Sequence, residues 1–264
     1  MNKLILCCLL LGCSSTKYVE PPPLVGYIGS QTETKLLFAL LLHYSQFKEN
    51  AKSDLTKNLP KYTDQGNLNS CTAFVVANVM EGLYHKRYGK WITSSKLFLY
   101  YNSRGLKWQD SGTHIPTTIL SAIYQGIPLE KYWPYAIDRW KIKPSVDAYT
   151  NALNFRINKA YKLDNTEIIK ALSNGYPVIV GCAVFKQFYS LNNQDYVLQL
   201  PDKKEKASDQ HSMIIAGHNN KTKLYLVNNS WGKEWGLDGT CYIPYDYIHD
   251  KKLTMACWIL DYVE

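Results

Sequence analysis

The chain changes period around Pro177. Ahead of it, apolar residues recur every three or four positions: Ala73, Val76, Ala77, Met80, Leu83 and Tyr84 follow Asn69 and Ser70, either of which suits a helix N-cap. "SSKLFLYYN" and "PTTILSAIYQG" continue the helical reading, the second opening with Pro116 and closing at Gly126. Another helix starts at Asp164, with Glu167 three residues on as its capping-box partner, and stops at "SNGYP". Past Pro177, "PVIVGCAVF", "HSMIIAGH", "KLYLVNNSW", "GTCYIPY" and "ACWILDY" are short runs rich in β-branched and aromatic residues, separated by Gly, Asn, Asp and Lys. Helices first and strands afterwards predict an α+β architecture: a helical N-terminal half packed on an antiparallel β-sheet or barrel, with a cleft between them.

The N-terminus is organised differently. "MNKLILCCLLLGCSS" has a positive start ending at Lys3 and an apolar run from Leu4 to Leu11, which is too short to cross a bilayer and reads as a secretory signal. Its end, "LLGC", resembles the lipobox of bacterial lipoproteins. That resemblance implies cleavage after residue 12, acylation of the Cys13 thiol and a membrane anchor, each buried methylene contributing about 0.8 kcal/mol. Residues 1–12 are then the signal peptide and 13–51 a lipid-anchored tether and short N-terminal segment, stiffened by Pro21, Pro22 and Pro23. "KLLFALLLHY" (35–44) is also too short to span, and residues 18–50 are long enough to cover one end of a cleft. The expected location is exported: a cell-envelope lipoprotein, membrane-anchored on the periplasmic or cell-surface side.

The formal charge of +8 comes from scattered Lys and Arg, clustered only in "PDKKEKASD". No basic stripe with interleaved aromatics accompanies them, so the sequence predicts a solvated basic face and no nucleic-acid partner. Seven Cys occur, at 7, 8, 13, 71, 182, 241 and 257, with no CxxC pair and no zinc-type Cys/His spacing. No metal and no cofactor are expected. Cys182 reads as core. Cys241 and Cys257 fall in two apolar runs that suit neighbouring strands, and whether they form a disulfide depends on a Cα separation the sequence does not fix.

Cys71 sits differently, in the first turn of a helix. A thiolate there meets the positive end of the helix dipole, worth about 0.3–1 kcal/mol. A reactive thiol also needs a His, and that His needs an orienting group. Of the six His, only His211 opens an apolar strand after a polar loop, with a second strand ending in "NNSW" shortly after. Two such strands side by side would set the Asn229 carbonyl against the His211 imidazole, with Trp231 sheltering that bond from water.

"QGNLNSCTAF", "HSMIIAGH" and "NNSWGKEWGLDG" together resemble the papain family of cysteine peptidases, whose Cys, His and Asn stand at similar separations. The resemblance runs from about Asp54 to Val263 and implies a papain-like fold for a peptidase domain at 52–264. Carried over, Cys71 is the nucleophile, His211 the general base and acid, Asn229 the orienting residue and Gln65 the oxyanion donor. Gly112 matches the glycine along which substrate backbone lies. The family implies thiol-dependent hydrolysis of a protein or peptide through a thioester, by a monomer. Leu68, Asn69 and Thr72 depart from the plant and animal enzymes and resemble the bacterial branch, leaving the cleft near Gln65 undefined. Two other readings keep the same motifs: a cell-envelope amidase or peptidoglycan peptide hydrolase, and an inactive papain-fold binding protein.

Overall fold

The computed structural model describes residues 48–191 and 196–261. In chain order its elements are β1 (Lys52–Asp54), α1 (Cys71–Tyr88), α2 (Lys96–Ser103), α3 (Ile115–Tyr124), α4 (Val146–Ala152), β2 (Lys159–Leu163), α5 (Ile168–Ser173), β3 (Val178–Val184) and α6 (Lys186–Tyr189). They continue as β4 (Asp209–Asn219), β5 (Leu224–Asn228), β6 (Thr240–Pro244), α7 (Tyr245–His249) and β7 (Thr254–Asp261). The class is α+β, helices packed on an antiparallel sheet. The five apolar runs past Pro177 form β3 to β7, all paired antiparallel. Their order is β2-β7-β3-β4-β5-β6, with β1 added to β4.

Two strands escape a reading of the sequence. β1 (KSD) and β2 (KAYKL) are short and largely polar, and the ladders that receive them make them strands. β3 pairs with β4 through Ile215, and β1 pairs with its continuation at Gly217 to Asn219. The N-terminal segment is thereby tied to the sheet, reinforced by Leu55 N–H donating to the Ala216 carbonyl (2.7 Å) and by a Ser53 Oγ to His218 Nδ1 bond (2.7 Å). At the other end of the chain, Leu260 on β7 packs into the core of the helical half.

Both faces of the sheet are buried. Val178, Val180 and Cys182 point into a core with Met213, Val227 and Tyr247. Ile179, one step out of phase, joins Ile214, Val76, Met80 and Phe98 beneath the helices. This period-two division explains why "PVIVGCAVF" is apolar at nearly every position.

The helical face predicted for α1 is only part of its burial. Phe74, Val75 and Val79 are as buried as Val76 and Met80, because α2 and α3 cover the side away from the sheet. Glu81, also buried, accepts from Ser94 N–H (2.6 Å) and from the Lys96 ammonium. Removing one partner of such a pair costs about 3–5 kcal/mol. Gly82 is required by contact: a Cβ there would lie 2.1 Å from the Asn58 carbonyl oxygen.

The Asp164 capping box forms with both of its hydrogen bonds, opening a short 3-10 turn that continues into α5. Cys241 and Cys257 are not on neighbouring strands. β6 and β7 are separated by β5, β4 and β3, and the four thiols at 71, 182, 241 and 257 are all free. Cys13, the signal region and residues 18–47 lie outside the described residues.

Candidate active site

Cys71 opens α1 at the seam between the two halves and is half-buried. Ser70 holds the N-cap position, but no side-chain bond caps the helix. Its hydroxyl pairs instead with the Tyr135 hydroxyl (2.7 Å). The first-turn amides, Cys71 N–H among them, are therefore left to other partners. Thr72 Oγ1 donates to the Thr113 carbonyl (3.1 Å) and bonds across the seam to Ser212 Oγ (3.0 Å), fixing the start of α1 against β4.

Burial pushes the Cys71 thiol up. The hydrogen bond and charge of His211, the Ser212 N–H and the Thr72 hydroxyl outweigh that effect and bring it down to about 7. The opposite side of the imidazole is anchored: His211 Nε2 donates to Asn229 Oδ1 at 2.7 Å. The same oxygen accepts the Ser230 N–H (2.8 Å), which can only donate, so the amide is turned with its oxygen toward the ring. Asn229 Nδ2 is left buried without a partner among the described residues. Trp231 lies beside His211 with ring centroids 4.7 Å apart, and Phe188 flanks the ring at 5.7 Å. The Asn229 to His211 bond is thus shielded by aromatic surface.

Gln65 comes from the loop ahead of α1 and is buried. Its Oε1 accepts from Ser230 Oγ (2.7 Å), its backbone N–H donates to the Ser230 carbonyl (2.9 Å), and its Nε2 donates one hydrogen to the Leu68 carbonyl (2.9 Å). Nε2 has a second hydrogen, and Gln65 lines the same cleft as Cys71 and His211. The departures at 68 and 69 have structural partners. Leu68 is buried, and Asn69 is held by Asp110, whose carboxylate accepts its N–H (3.1 Å) and whose carbonyl accepts its Nδ2 (2.8 Å). Gly112 lines the cleft at φ +70°, a left-handed conformation that favours glycine.

The cleft has a volume of about 1480 Å³ and takes its walls from both halves. Residues 49–258 match the family described as papain family cysteine protease. The chain belongs to the papain family of cysteine peptidases. Among solved structures, this papain-family chain is similar to xylellain, a cysteine protease from Xylella fastidiosa, with a TM-score of 0.76 and 28% identity over 82% of this chain and 88% of that one. An uncharacterized peptidase C1-like protein of Acanthamoeba polyphaga mimivirus is 32% identical over 76% of this chain and 69% of its own length. Procathepsin L of Rattus norvegicus is 28% identical over 69% of this chain, and the match spans 56% of the relative.

Several residues that support this peptidase's site were not legible in the motifs. Ser230, Tyr135, Asp110 and Ser212 act on the loop or the thiol through hydrogen bonds. Only Ser212 and Ser230, adjacent to His211 and Asn229 in sequence, carried any positional hint. The other His divide as follows among the described residues. His218 is buried and tied to Ser53, His249 bonds to Tyr225 Oη (2.9 Å), and His85 stacks on Trp91. His114 is an exposed surface residue that lines the cleft just ahead of α3. No group of three His, Cys, Asp or Glu is placed to hold a metal among the described residues.

Proposed function

We propose that this chain hydrolyses peptide bonds with Cys71 as nucleophile, His211 as general base and acid, Asn229 as the residue that orients the imidazole, and Gln65 as oxyanion donor. The observation that carries the reading is the lowered Cys71 thiol beside an imidazole anchored by Asn229. With His211 Nε2–H committed to Asn229, the Nδ1 side serves the thiol, and proton transfer gives a thiolate and an imidazolium. The thiolate attacks the peptide carbonyl. The tetrahedral oxyanion accepts from the free Gln65 Nε2 hydrogen and from Cys71 N–H, and the imidazolium protonates the departing amine. A thioester to Cys71 remains. His211 then takes a proton from water, the hydroxide oxygen adds to the thioester carbonyl, and collapse releases the carboxylic acid and the thiol. Trp231 and Phe188 keep bulk water from the His211 to Asn229 bond, and Gly112 offers a wall against which substrate backbone can lie.

The "LLGC" motif supports export and lipidation at Cys13, which would tether the domain to a membrane surface. An acyl mass on the N-terminal peptide of membrane-purified protein is the expected result, and an unmodified N-terminus would refute it. For the chemistry, a proteome-derived peptide library is incubated with the full chain and with Cys71→Ala. The expected result is a set of cleavages absent from the variant; identical products from both would refute the assignment.

A further inference from the structure

Past Gly112 the cleft extends into an arm bounded by the end of α2, the 104–111 loop, the end of α3 and the start of α4. Arg104, Lys107 and Lys143 line it, together with Asn102, Tyr124 and Tyr149. Among the described residues no carboxylate forms an ion pair with Arg104 or Lys107. The acid on the same loop, Asp110, is engaged by the Tyr100 hydroxyl and the Asn69 N–H.

Arg104 is only 2% exposed. Its guanidinium lies 4.5 Å from the ring centroids of both Tyr100 and Trp140, and Nη2 donates to the Trp140 carbonyl (2.7 Å). Its Nε and Nη1 are buried with no acceptor. The Lys107 ammonium donates to the carbonyls of Tyr101, Asn102 and Arg104 at the end of α2, the bond to Asn102 being the longest at 3.2 Å. Burial, then repulsion from Arg104, holds the Lys107 amine down to about 8. Two neighbouring cations, one fully enclosed, therefore share an arm of the cleft with no carboxylate in direct contact among the described residues, Asp110 reaching Arg104 only through the Tyr100 hydroxyl. Uncompensated buried charge is costly, and a bound anion relieves that cost.

We propose that this arm binds a carboxylate of the peptide substrate. Selectivity then favours peptides with Asp or Glu, or a free C-terminus, at the one position that reaches it. Arg104 and Lys107 supply the field. A carboxylate entering the arm displaces the long Lys107 to Asn102 bond, while Lys143 and Tyr124, both exposed on the rim, supply further donors. The inference rests on the peptidase reading, and the loop 104–111 leads directly to Gly112 beside Asn69, so substrate extending along that wall passes the arm.

The test uses the full chain and matched peptides that differ by Glu or Gln at each position in turn, or by a C-terminal acid or amide. The readout is the ratio of kcat/KM within each pair, which cancels any loss of folded enzyme. One position is expected to favour the acid about tenfold, the scale of one hydrogen bond to a charged group. The same ratio is expected to fall toward one at about 0.5 M salt and in a Lys107→Gln, Lys143→Gln double variant. A Glu preference identifies a side chain as the source, and an acid-over-amide preference a chain terminus. Ratios near one throughout, or a preference that survives the double variant, would overturn the proposal while leaving the peptidase reading intact. If no peptide were cut, the peptidase reading would fail, and the arm would be judged by binding to the full-length Cys71→Ala protein. There, fluorescein-labelled Glu peptides should bind about tenfold more tightly than their Gln partners, again the scale of one charge-assisted bond. Equal affinity would reject the arm.

Discussion

Two thiols neighbour His211 and end in opposite chemical states. Cys71 meets it across the seam between the halves, and Cys182 is its register partner on β3. Around Cys71, imidazole, backbone N–H and hydroxyl donors outweigh burial and lower the thiol to about 7. Around Cys182, burial dominates, Cys257 adds to it, and a bond from Thr254 does not compensate, so the thiol is pushed well above its usual range. Cys241 is driven up in the same way, and Cys257 to about 12. Proximity in the fold is therefore not what makes a thiol reactive. The decisive difference is whether donors face the sulfur.

The sharpest way to break this comparison is substitution. Cys71→Ala should reduce kcat/KM on a cleaved peptide by about 10⁶-fold, the scale of a deleted nucleophile, whereas Cys182→Ala should leave it near the parental value. Equal losses would mean that the two sites are not chemically distinct. Gln65→Ala should cost about 10²- to 10³-fold in kcat, as removal of an oxyanion donor does, with the alkylation rate of Cys71 retained. A loss in both would assign Gln65 to shaping the thiol.

Alkylation by iodoacetamide resolves the comparison by pH. In the native protein Cys71 should react with a midpoint near 7, the thiolate present above it, and the buried thiols should react only after unfolding. In His211→Ala the midpoint should rise toward or above the free-thiol value of about 8.5. A midpoint unchanged by that variant would refute the pairing. The sign for stability follows from the same shift. A folded value below the unfolded one makes Cys71 stabilising above the unfolded-thiol range, and this contribution is lost as pH falls through about 7. The smallest effect expected is on stability itself: Cys182→Ala should cost about 1 kcal/mol by urea titration, comparable with deleting one buried methyl group.

The residues that meet at the seam were legible because each carries its chemistry in its own side chain and sits in a short motif. Cys71 follows a helix-start signal, His211 opens an apolar run and Asn229 ends the next one. Tyr135 and Asp110 were not legible as supports, because their partners are backbone groups distant in sequence. Tyr135 donates to the Gln65 carbonyl (2.8 Å) across 70 residues, and Asp110 secures the Asn69 N–H across 41. Neither relation leaves a mark in local composition. The same limit applies to the fold. β3 to β7 could be read from apolar runs, but β1 and β2 exist through pairing, and the full burial of α1 follows from what packs behind it. Strand order was equally hidden, which is why two cysteines in consecutive runs, β6 and β7, end up with three strands between them.

The division of the site between α1 and the β4–β5 pair also has a consequence for biosynthesis. Cys71 and Gln65 emerge from the ribosome with the first half of the chain, while Asn229 follows Cys71 by 158 residues. At ordinary elongation speeds that gap lasts roughly ten to thirty seconds. For the first 140 of those residues the thiol lacks the His211 imidazole, and to the end of the gap it lacks the Asn229 amide that anchors the ring. On the proposed assignment, turnover has to wait until the β4–β5 pair docks against α1.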